Sequence, residues 1–138
     1  MRLRVASVTA LTVVAAFVAC GRSDVLFAPG SHLPFGEWGA DRVQFVTSDS
    51  VTEVTYGCVD GTFSGNIIPD ATGHFVVNGS FSPYAVFERY MPAQMSGQVS
   101  GNTLTFAVAV NDTARKEVVS IGPATVKFGQ HANLIVCP

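Results

Sequence analysis

The stretch Thr103-Leu104-Thr105-Phe106-Ala107-Val108-Ala109-Val110 decides the fold. Leu104, Phe106, Val108 and Val110 fall on one face, with Thr103, Thr105, Ala107 and Ala109 on the other, which is the two-residue period of a half-buried strand. The first face belongs in a core. Working outward, the same alternation groups Val54 with Tyr56 and Cys58, Phe63 with Gly65 and Ile67, and Phe75 with Val77 and Phe81. Turn residues separate these runs: Ser48-Asp49-Ser50, Asp60-Gly61, Pro69 through Gly73, and Gly101-Asn102. Asp60-Gly61 is the strongest hairpin signal, because a type I′ turn needs positive φ.

The pattern predicts strands near 41–47, 51–59, 62–68, 73–82, 94–100, 103–110, 117–121, 124–129 and 132–137. No segment beyond residue 20 holds a 3.6-residue period for more than two turns, and the best helical candidate is the short stretch 83–89. Many short strands with hairpin links predict an all-β fold, an antiparallel barrel or sandwich of eight to nine strands, with a meander favoured. One core suffices for a chain of 138 residues. Charged residues make up only 13 % of it, with 8 Lys and Arg against 10 Asp and Glu, so no basic surface invites nucleic acid.

The chain opens differently. Arg2 and Arg4 precede residues 5–19, an uncharged apolar run shorter than the roughly 20 residues that span a bilayer as a helix. This is the form of a cleaved secretory signal. Val18-Ala19-Cys20 with Gly21 resembles the lipobox of bacterial lipoproteins. The resemblance implies cleavage before Cys20, a palmitate-type anchor on its sulfur, and membrane attachment by the N-terminal lipid. Gly21 is not the Asp associated with inner-membrane retention in that family, so the implied place is the periplasmic face of the outer membrane of a Gram-negative host. The organisation expected is a signal helix over 1–19, a lipidated flexible tether over 20–35, and a single β domain over 36–138. Fifteen extended residues of tether reach about 50 Å, although Val25, Leu26 and Phe27 are apolar enough to pack elsewhere.

With Cys20 committed to lipid, Cys58 and Cys137 remain as an even pair in an oxidising compartment and are expected to be bonded. A metal pair lacks histidine or cysteine partners at ligand spacing. His32, His74 and His131 are scattered and read as solvated, so neither a metal nor a cofactor is expected. Gly-x-Ser-x-Gly is absent, Ser64-Gly65 and Ser96-Gly97 read as strand residues, and the chain is read as non-catalytic.

The connection 83–92 carries Tyr84, Phe87, Tyr90 and Met91. Loops carry function and aromatic residues anchor interfaces, so these four form the expected contact set for a ligand or partner. The same loop could instead fold over an open barrel end as a cap. Gly36-Glu37-Trp38 resembles the Gly-x-Trp of lipocalin and avidin-type barrels, which implies that Trp38 closes the barrel base. More broadly, Trp38-Gly39, Cys58 followed by Gly61-Thr62, Gly73-x-Phe75, Ser96-Gly97 and the penultimate Cys137 are similar to a family of small exported bacterial β-proteins without an assigned activity. The function expected is a lipid-anchored envelope module that binds an apolar small molecule or an envelope protein. The alternatives are a structural envelope lipoprotein and a periplasmic lysozyme or protease inhibitor, since Tyr56-Gly57-Cys58 resembles the Tyr-x-Cys strand of lipoprotein lysozyme inhibitors.

Overall fold

A computed structural model describes residues 30–137. Cys20, the residues read as a signal, and Val25, Leu26 and Phe27 of the expected tether lie outside the described residues. Eight antiparallel strands close into a barrel in chain order: β1 (Gly36–Ala40), β2 (Val43–Thr47), β3 (Val51–Tyr56), β4 (Val59–Ser64), β5 (His74–Ser82), β6 (Met91–Ser100), β7 (Thr103–Asp112) and β8 (Glu117–Phe128). Each strand follows its neighbour by a hairpin. The meander anticipated from the alternation is therefore the fold, with eight strands rather than nine.

Several boundaries differ from the sequence reading, each for a physical reason. The strand expected at 41–47 is β2 from Val43 on, while Asp41 and Arg42, the latter at φ 63°, make the turn from β1, a conformation that no Gly or Asn announces there. Asp60 and Gly61 lie inside β4, and the β3–β4 turn comes earlier, at Gly57 with φ 62°. Gly61 serves packing instead of turning: a Cβ on it would meet the Phe81 ring at 2.4 Å. The stretches 117–121 and 124–129 are one strand, irregular where β8 slips against β7 between Phe106 and Val108. Residues 132–137 form no ladder strand, and their backbone bridge to the sheet pairs Asp41 with Asn133. Residues 83–90 contain no helix.

The inward face is that of the opening octet: Leu104, Phe106, Val108 and Val110 are all buried. Rings fill the interior by lying over glycines of the adjacent strand. Phe75 covers Gly97, Phe63 covers Gly79 and Phe81 covers Gly61, each pair directly opposed in register, so a ring gains room where the partner has no side chain. Phe45 meets Phe106 at 5.2 Å between centroids. Trp38 is fully buried and packs edge-on against Phe128, its partner in the short β1–β8 seam, at 5.0 Å. Eight strands enclose a width that side chains can fill, and here they do.

One end is closed by chain from outside the strands. Leu33, inside the segment read as tether, is buried, its N–H donates to the Ile67 carbonyl at 2.8 Å, and Thr47 Oγ1 donates to the Pro34 carbonyl at 2.7 Å. Residues 33–35 thus belong to the folded domain. The opposite end, where β5 ends and β6 begins, carries the site.

Candidate functional site

The mouth of the barrel is built from three pieces: the β3–β4 turn, the loop 83–90 and the C-terminal segment. β5 ends at Ser82 and Pro83 follows, so the ladder stops and the chain swings out as a loop before β6 resumes at Met91. Tyr84 turns back over the mouth, and its hydroxyl donates to Asp112 Oδ2 at 2.8 Å. Asp112 ends β7 facing inward and is wholly buried. Its other oxygen accepts the N–H groups of Ala114 and Arg115, both at 3.1 Å, while Arg115 Nε stands 3.8 Å from Oδ2.

This arrangement explains how a carboxylate survives at a barrel mouth. The Tyr84 hydroxyl, the two N–H donors and the nearby Arg89 charge hold Asp112 below the usual carboxylate range, against the opposing effect of burial. Tyr84 is raised in turn, chiefly by donating to that anion. The Arg115 guanidinium lies 4.9 Å from the Tyr84 ring centre, and Phe87 packs on Tyr84 at 5.1 Å. A second latch sits at the far end of the loop: Tyr90 donates to Asp60 Oδ2 at 2.7 Å and is pushed up to about 12 by that bond. Between the latches, the Arg89 N–H donates to Ser82 Oγ at 2.9 Å.

The loop is therefore a latched cap, and the four residues read from sequence as one contact set divide. Tyr84 and Tyr90 are struts, and Tyr90, 49 % exposed, also keeps a face at the surface. Met91 opens β6 and is buried in the core, so it is no part of a contact surface; the alternation of β6 begins there and points it inward. Phe87 remains at the surface, half exposed, beside Val86, which is 94 % exposed. Sequence reading missed Val86 and the buried Asp112. A carboxylate at the inward register of the opening strand, two residues past Val110, was the available signal for the second.

The third piece is the C-terminal segment. From Gly129 it doubles back over the outside of β1, crossing at Gly39, where a Cβ would come within 2.2 Å of the Gln130 carbonyl oxygen. Glu37 anchors it, accepting from the Ala132 N–H at 3.0 Å and contacting His131 Nδ1 at 2.7 Å. Gln44 also donates to Glu37, and together these partners lower Glu37 to about 2. His131 is thus engaged rather than merely solvated. Cys137 then bonds Cys58 in the β3–β4 turn, with Cα atoms 5.6 Å apart. The expected disulfide is present, tying a turn to a strap instead of two strands.

Strap, turn and cap leave between them an open cleft of about 440 Å³. The strap contributes Leu134, Ile135 and Cys137; the cap contributes Tyr84, Ala85 and Glu88. Thr55, Asp60 and Ser82, opposed in one row across β3, β4 and β5, form the remaining wall. Comparison with known proteins finds no match to a family model, a curated protein or a solved structure.

Proposed function

We propose that this protein is a lipid-anchored envelope module that binds a partner protein at the barrel mouth and performs no catalysis. The observation that carries the choice of partner over apolar ligand is the filled interior. Trp38, Phe45, Phe81, Leu33, Met95 and Leu104 are fully buried side chains occupying the space where a small-ligand barrel keeps a cavity. At the mouth, in contrast, Val86 and Phe87 stand exposed on a loop held by hydrogen bonds at both ends. A rigid apolar pair costs little ordering entropy on association, which favours its use as an anchor. The lipobox-like Val18-Ala19-Cys20 supports the anchor and the compartment.

Two measurements test this reading. In the native host, radiolabelled palmitate should enter the wild-type chain and not Cys20→Ala; equal labelling, or none in either, removes the lipid. Photo-crosslinkers placed at residue 86 should capture a discrete envelope protein in a manner abolished by Phe87→Ser. Retention of the same adduct in the Phe87→Ser protein, with its melting temperature unchanged, rejects the loop as the contact.

A further inference from the structure

The geometry points to the cleft beside the cap as a receptor for one basic side chain, Lys or Arg, of the partner protein. The inference rests on the docking reading above and names the chemistry of its partner. The charged residues lining the cleft are Asp60 and Glu88, both acidic. Among the described residues neither has an ion-pair partner. Of the bases of this end, Arg115 lies on Asp112, Glu117 and the Tyr84 ring, and neither Arg89 nor Lys116 lines the cleft. Arg42 lines an adjoining cleft, which shares Gly57, Cys58 and Ile135 with this one.

Opposite the acids the wall is apolar. Leu134 and Ile135 are 40 % and 39 % exposed, held in place by the Cys58–Cys137 bond at one end and the Glu37 anchor at the other. An aliphatic wall facing two carboxylates fits a side chain with an apolar stem and a cationic head, which is the construction of Lys and Arg. Asp60 gives one carboxylate oxygen to Tyr90, leaving Oδ1 for a guanidinium or ammonium. The volume of about 440 Å³ admits such a side chain together with an apolar neighbour. Charge complementarity at this position would set orientation and selectivity, with the exposed Val86 and Phe87 adding apolar area beside it.

The test uses the full chain in detergent micelles with fluorescein-labelled peptides Leu-Arg-Leu and Leu-Gln-Leu, followed by anisotropy. The Arg peptide should bind about tenfold more tightly, and the advantage should vanish in Asp60→Asn/Glu88→Gln and at about 0.5 M salt. Asn at 60 can still accept from Tyr90, so the cap stays latched, and an unchanged melting temperature checks this. Equal affinity for both peptides overturns the inference, as does an Arg advantage that survives the double substitution. Binding of propylguanidinium as tightly as the Arg peptide also overturns it, assigning the cleft to a free small cation. Failure here with crosslinking at residue 86 intact rejects the cleft alone; the converse pattern rejects the docking loop alone.

Discussion

The two halves of the barrel are held together differently. β1 to β4 contain 5, 5, 6 and 6 residues, whereas β5 to β8 contain 9, 10, 10 and 12. The long half has extended ladders, with eight opposed pairs between β5 and β6 and eight between β6 and β7. The ladders of the short half have five or six, and its seam with β8 is two pairs, Trp38 with Phe128 and Gly39 with Lys127. Chain from outside the strands compensates. Residues 33–35 close one end of the short half, and the strap crosses its outer face, pinned by Glu37 and by the disulfide. Short strands supply too little ladder and buried area to be secure alone, and straps add cross-links without lengthening them.

The largest effect should come from cutting the covalent strap. Cys58→Ser/Cys137→Ser opens a loop of about 80 residues and should cost about 4.5 kcal/mol in denaturant unfolding. Hydrogen exchange should show β2, β3 and β4 losing protection while β6 and β7 retain it; uniform loss across all strands would break the distinction between halves. The long half has a matching weak point inside. Gly97→Ala places a Cβ within 2.5 Å of the Phe75 ring and 2.9 Å of the Thr105 carbonyl oxygen, and should cost about 1–3 kcal/mol, with an unfolding midpoint equal to wild type counting against ring-over-glycine packing.

A gain is expected in the short half. Thr52 Oγ1 is buried with no hydrogen-bond partner among the described residues, so Thr52→Val, which keeps the shape and removes the orphaned hydroxyl, should stabilise by about 1 kcal/mol. A loss of stability on thermal melting would mean that the hydroxyl is satisfied. The smallest effect concerns acid. Glu37 is lowered from 4.5 to about 2 in the fold, so the strap contact it makes is at full strength above about 4.5 and is lost as pH falls toward 2. NMR of the Ala132 amide should report that release in this window, and Glu37→Gln should abolish the pH dependence; an amide that ignores pH would show the disulfide alone positioning the strap.

The long half was also the more legible half. Alternation from Thr103 to Val110 identified the inward face of β7 without help from any other strand, because a strand's side-chain directions follow from its own backbone. β1 was hidden: Gly36-Glu37-Trp38-Gly39-Ala40 has little apolar alternation, since Gly39 makes room for the strap and Glu37 holds it. The Asp60-Gly61 dipeptide misled for a related reason, as its glycine answers to Phe81 on another strand. In the site, the aromatic loop was visible, but its latches were not. Tyr84 and Asp112 are 28 residues apart, and Glu37 and Ala132 are 95 apart.

By itself the sequence determined that this chain makes antiparallel strands around one apolar interior, because a two-residue period commits every second side chain to the same side wherever the strand is placed. Only the tertiary structure decided that the barrel closes at eight strands, that Tyr84 and Tyr90 latch the loop that exposes Val86 and Phe87, and that two acids with no ion-pair partner among the described residues share a cleft with Leu134 and Ile135. Those outcomes depend on register summed around a closed sheet and on where long connections land, and neither is a property of any local stretch of residues.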